Sequence, residues 1–165
     1  MKLIIENRQQ KHKIRRDSVL KLSLYLAGFA ENSKRANTPF YDCITVILTR
    51  DSGMRNIHLK TMGSRSTTDV ITIPYIQLPN GTNEAELIVN VQMAVRLFNS
   101  GNTPEEVRKD IKWTSAHELA LYIAHGFDHL SGFEDKTPAG YLSMRTRELE
   151  WVYSASEKGL LKNIL

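Results

Sequence analysis

The sequence predicts an α+β fold: a mixed β-sheet of about four strands with several helices packed on it, forming one domain over residues 1–165. Three observations point there. Short runs rich in Ile, Val and Thr recur between longer stretches of helical periodicity. At 41% hydrophobic and 24% charged, the composition is that of a globular protein with a core to bury. Internal repeats and low-complexity segments are absent, so neither a solenoid nor a disordered chain is expected.

The elements follow in order. Leu3-Ile4-Ile5 reads as a first strand, followed by a polar, basic stretch to Arg16. Asp17 or Ser18 is expected to cap a helix whose Val19, Leu20, Leu22, Leu24, Leu26 and Phe29 share one broad side. Residues 32–39 form a loop, and Ile44–Leu48 reads as a strand. Asp51 or Ser52 caps a short helix over 53–61, and Val70-Ile71-Thr72-Ile73 is β-branched and strand-like. Pro74 and the Pro79-Asn80-Gly81 turn close that section. Leu87–Val91 reads as a strand and Gln92–Asn99 as a helix ending at Gly101. Thr103-Pro104-Glu105-Glu106 has proline where a helix tolerates it best, predicting a long amphipathic helix from there to about Ser131. Tyr141–Lys158 makes a last helix.

Charge and cysteine content narrow the function classes. Cys43 is the sole cysteine, which excludes an internal disulfide. No apolar run approaches the ~20 residues that span a bilayer, and no secretory leader pattern is present. We therefore expect a cytoplasmic protein without a membrane partner. Net charge is +4, but residues 1–16 hold six basic residues against Glu6 alone, a net +5, so the other 149 residues sum to −1. Arg8, Lys11, Lys13, Arg15 and Arg16 thus form a candidate RNA-binding segment, since phosphate contacts release counterions. A solvated basic loop is the competing reading.

The chemistry concentrates in residues 125–135, His-Gly-Phe-Asp-His-Leu-Ser-Gly-Phe-Glu-Asp. On a helix, His125 and His129 project from one face, about 5–6 Å apart at their roots, a spacing that lets two imidazoles grip one ion. Gly132 permits the positive φ at which a helix ends, and the returning chain can offer Asp135 as third ligand. Three protein ligands with one position open describe a catalytic rather than a structural metal site. Ordinary half-buried histidines are the alternative for the pair taken alone. His117-Glu118 begins a peptidase-like HExxH, but the fifth residue is Leu121. Glu118, two turns before His125, is a candidate catalytic or supporting acid, a solvated or capping glutamate being the other reading. Asp128, between the two histidines, reads as an exposed aspartate, the competing reading being that it orients a histidine or carries a proton.

These residues carry a resemblance to a known family. HGFDHLSGFED resembles the HGxLHLxGYDH signature of the YbeY-type bacterial rRNA-maturation endoribonucleases, matching at His125, Gly126, His129, Leu130 and Gly132, with Phe133 for tyrosine. Thr67 to Pro74 resembles the family's PTDVLSFP strand, and Ala85 to Val89 stands where the family writes LGDIV. Glu118, the pair Met144 and Glu148, and Asn7-Arg8-Gln9 fall on further family positions, so the likeness runs along essentially the whole chain. It implies a metal-dependent endoribonuclease that cuts single-stranded rRNA, with the ribosomal small subunit and ribosome-associated factors as partners. It also implies one Zn2+ per chain, or another divalent transition metal.

Three departures bear on chemistry. The family's third ligand is histidine where this chain has Asp135, a harder and more negative donor that still suits zinc. Glu134 competes with Asp135 if the loop shifts by one residue. The family's arginine, proposed to act in RNA cleavage, aligns with Met62; Lys60 and Arg65 flank it, and Arg65 is the candidate replacement. The Gly-Asp of LGDIV is Glu86-Leu87 here. Two other functions compete: an RNA-binding ribosome-assembly factor that has lost cleavage, and a small zinc metallopeptidase-like hydrolase.

Overall fold

The computed structural model describes residues 1–165. The chain runs β1 (Lys2–Asn7), α1 (Arg16–Ser33), β2 (Cys43–Thr49), α2 (Asp51–Met62), β3 (Val70–Tyr75), β4 (Glu84–Asn90), α3 (Val91–Asn99), α4 (Ser115–Leu130) and α5 (Pro138–Glu157). The four strands form one mixed sheet in the order β1-β2-β4-β3, with β1, β2 and β4 parallel and β3 antiparallel to β4. The fold is α+β, as expected.

Strand alternation decides which face each side chain serves. Ile44, Val46 and Leu48 of β2 and Leu87 and Val89 of β4 turn into the main core of 32 buried residues, shared with α1, α3, α4 and α5. Ile47, Ile88 and Ile71 turn the other way and are covered by Met54 of α2. The sheet therefore has a thick helical layer on one side and a single short helix on the other. No helix is long and apolar enough to cross a membrane.

Several expectations require correction. The stretch 104–114 is a run of turns, and the helix begins only at Ser115. Its backbone is satisfied locally: Arg108 N–H donates to Tyr153 Oη at 3.0 Å, and Trp113 is buried with its indole N–H donating to Glu118 Oε2 at 2.7 Å. Thr114 then caps α4 by accepting from His117 N–H at 3.4 Å. Nor is α4 amphipathic: 12 of its 16 residues are buried, because it lies between the sheet and helices α1, α3 and α5.

Asp17 and Ser18 sit inside α1, whose cap position is Arg15, and Leu24 stays exposed. Asp51 likewise lies in the first turn of α2, after Arg50. Pro74 belongs to β3 rather than ending it, which an edge strand tolerates because no partner needs its missing N–H. β4 stops at Asn90, one residue early, since Asn90 Oδ1 accepts from Met93 N–H at 3.1 Å and starts α3 directly.

Candidate metal centre

Helix α4 presents His125 and His129 on one face, their ring centroids 4.4 Å apart. A Schellman arrangement ends the helix: Gly132 N–H donates to the His129 carbonyl at 2.9 Å and Phe133 N–H to the Asp128 carbonyl at 3.4 Å. Gly132 has φ +88, the left-handed conformation its position predicted. The turn is anchored by Arg35 N–H and Thr38 Oγ1, which donate to the Ser131 carbonyl at 3.0 and 3.3 Å, and by Ser131 Oγ donating to the Ala30 carbonyl at 3.0 Å. The chain then returns to set Asp135 Oδ2 3.6 Å from His125 Nε2 and Oδ1 4.0 Å from His129 Nε2. Glu134, the alternative third donor, is exposed and pairs with Lys136 at 2.9 Å.

Each imidazole is oriented by a partner at Nδ1. His125 Nδ1–H donates to Glu148 Oε1 at 2.6 Å, and His129 Nδ1–H donates to the Phe133 carbonyl at 3.0 Å. With both protons placed at Nδ1, the neutral rings turn two Nε2 lone pairs toward each other at 3.1 Å. Two lone pairs at that separation repel unless a cation or proton lies between them. Four ligands at ~2.0–2.1 Å around a tetrahedral ion stand roughly 3.3 Å apart, so the two nitrogens and the Asp135 carboxylate suit such an ion. All three ligand atoms lie within 4.8 Å of one another.

The electrostatics point the same way. Burial pulls the His125 pKa down, but the hydrogen bond and charge of Glu148, with Asp69 beyond, outweigh it and leave it above the ordinary value. The local field thus favours positive charge. Glu148 itself is wholly buried on α5, and Arg145 Nη1 lies 3.4 Å from its second oxygen.

Gly126, between the histidines, is a packing residue. A Cβ built there would stand 3.0 Å from Leu87 Cδ2 and 3.3 Å from Val70 Cγ2, so the helix rests directly on β4 and β3. The glutamate that peptidases carry at this position has no room. Leu87, where the resembling family writes aspartate, is the surface on which the glycine rests.

The remaining candidates are scattered. Glu118 is 4% exposed and bonded to Trp113, and burial holds its carboxyl above the usual range despite that bond. His117 is engaged by Thr114 and Ser156 at 2.7 and 3.0 Å, well inside the helical layer. Asp128, read as exposed, is instead fully buried in a two-pronged ion pair with Arg147 at 2.9 and 2.8 Å. Arg147 also lies 3.8 Å over the Phe133 ring, tying α5 to the turn after α4.

A groove of about 470 Å³ opens beside His129 and Asp135, with β3 and the end of α2 as its walls. Met62 lines it, whereas Arg65 is exposed on the following loop and Lys60 on the helix, neither among the lining side chains. That loop is tied to the sheet through Asn90, a buried residue that no sequence motif singles out. Its Nδ2 donates to Asp51 Oδ1, Thr67 Oγ1 and the Thr68 carbonyl at 2.9, 3.0 and 3.1 Å.

In the basic segment, Asn7 and Gln9 have structural roles: Gln9 is buried and its amide bonds Asn7 and both backbone groups of His12. Arg8 pairs with Glu6 at 2.6 Å and Arg16 donates to the Ile5 carbonyl at 2.7 Å. Lys11, Lys13 and Arg15 remain exposed. Lys11 lines one recess with His12 and Arg96, while Lys13 and Arg15 line another beside the C-terminus.

Fold and site together define a small α+β protein with a candidate His-His-Asp metal centre at the mouth of a groove. A family model described as endoribonuclease YbeY matches residues 4–155, and the chain belongs to that family. Endoribonuclease YbeY of Chlamydia caviae is 24% identical over 165 residues, covering 98% of this chain and 95% of its own. That of Thermodesulfovibrio yellowstonii is 26% identical over 145 residues, covering 81% and 85%. The solution structure of TM1509 from Thermotoga maritima has the same fold, with a TM-score of 0.57 at 19% identity over 97% of this chain and 95% of that one.

Proposed function

We propose that this chain is a metal-dependent endoribonuclease that cuts single-stranded RNA during rRNA maturation, with one Zn2+ held by His125, His129 and Asp135. The observation that carries the reading is the pair of Nε2 lone pairs facing each other at 3.1 Å beside Asp135, each ring fixed from behind. A divalent ion bound there supplies Lewis acidity, lowering the pKa of a water or polarising a phosphoryl oxygen. Glu148 and the Phe133 carbonyl hold the imidazoles in the tautomer that binding needs. Asp135 cancels one unit of the ion's charge, leaving a weaker Lewis acid than three histidines would. The groove lined by β3 and α2 accommodates the RNA strand, and Lys11, Lys13 and Arg15 add backbone contacts that raise affinity without reading sequence.

Metal analysis of the purified protein, joined to an rRNA-fragment cleavage assay with and without chelator, tests this. Near-stoichiometric metal and chelator-sensitive cleavage are expected, and His125→Ala with His129→Ala removes both. Stoichiometric metal surviving the double substitution sinks the assignment. A second reading, an RNA-binding assembly factor without cleavage, is favoured by Met62 lining the groove where the family has arginine. Salt-dependent RNA binding with intact metal but no cleavage selects it.

A further inference from the structure

The groove beside the metal centre contains one free base, and it comes from α2. Most of its other ionisable groups are committed: His129 and Asp135 face the candidate ion, and Glu134 is paired with Lys136 at 2.9 Å. Burial pushes the Tyr41 phenol up, away from any use as a base near neutral pH. His58 is left. Its Nδ1 lies 2.9 Å from the Ser66 carbonyl oxygen and 3.1 Å from Ser66 Oγ. A carbonyl oxygen only accepts, so Nδ1 carries the proton and the neutral ring keeps its lone pair at Nε2. That nitrogen has no partner within the protein, and the ring lines the groove one helical turn before Met62.

We propose that His58 is the proton-transfer residue of this site, a role resting on the endoribonuclease reading above. As the attacking water's oxygen bonds to phosphorus, His58 Nε2 takes one of its protons. The bond from phosphorus to the leaving ribose oxygen breaks with its electron pair going to that oxygen, which takes a proton from solvent water, and the imidazolium returns its proton to solvent. His58 ends as it began, and no further reactant is needed. While protonated it also places a positive charge beside the phosphate, in a groove whose lysine is already paired and whose neighbouring position is Met62.

His58→Asn separates this role from a purely structural one. The asparagine amide can still donate to Ser66 from the place of Nδ1, but it has nothing at the place of Nε2. We expect His58→Asn to keep its metal, its RNA affinity and its thermal midpoint while kcat falls about 10²–10⁴-fold with little change in KM. Nitrogen-15 shifts of the wild-type ring should report the tautomer with the proton at Nδ1. Cleavage by the wild-type chain together with an undiminished kcat in His58→Asn, or the opposite tautomer, overturns the role of His58 alone. A loss explained by reduced metal content or RNA affinity overturns it as well. A wild-type chain that carries metal and does not cleave overturns the endoribonuclease reading along with it.

Discussion

Gly126 illustrates how a single residue sets this helix apart from the HExxH helix of a peptidase. Its absent side chain is what allows α4 to lie against Leu87 and Val70, since a Cβ at this position would already stand 3.0–3.3 Å from their methyl groups. Gly126→Glu would complete an HExxH pattern in the sequence, yet we expect no peptidase from it. Overpacking costs about 1–3 kcal/mol, and a carboxylate buried without a partner adds several more, so the variant should lose at least ~3 kcal/mol. Urea unfolding measures this, and a midpoint equal to wild type would show that the helix–sheet gap has room to spare. Gly126 and Gly132 serve one motif for different reasons: the first is required by close approach, the second by its φ of +88. Sequence pattern revealed the second, because turn glycines obey local geometry, while the reason for the first lies on two distant strands.

At the scale of elements, the site is a junction of α4, the turn after it, and α5. Helix α5 contributes Glu148 behind His125 and Arg147 against the Phe133 ring of the turn after α4, where it neutralises the fully buried Asp128. Burial pulls the Asp128 pKa up against the opposing pull of Arg147, so the carboxylate depends on that partner to stay charged. Removing one member of a buried pair leaves an uncompensated charge, and Arg147→Ala should cost about 3 kcal/mol. Adding Asp128→Asn to Arg147→Ala should recover a large part of that loss. Denaturation of the two single variants and the double variant gives the coupling, and independent losses would mean the pair is not the cause. Most elements were legible from periodicity and β-branched runs. The failures came where tertiary contacts replaced local ones: residues 104–114 carry a good helix start, but buried Trp113 and the Tyr153 hydroxyl hold them in turns.

Across the whole molecule, ionisable groups buried away from the groove tie stability to pH. His117 sits in the helical layer between Thr114 and Ser156, and burial holds its pKa below the ordinary value of about 6.5. The unfolded chain therefore takes up the proton first. The stability that neutral His117 contributes is full above the unfolded value and declines as pH falls through it toward the folded one. His117→Gln removes this dependence, so the wild type's advantage over that variant should shrink between about pH 7.5 and 5.5 in urea titrations; a constant difference would contradict the sign. The sequence by itself determined the α+β class, the histidine pair at helical spacing, the glycine turn behind it and the family likeness, because each is written in local periodicity or short motifs. Tertiary structure alone decided that Asp135 rather than Glu134 meets the histidines, that Glu148 orients one of them, that Asp128 is buried, and that Met62 and His58 share the groove. These are contacts between segments far apart in the chain, fixed by packing that no local pattern encodes.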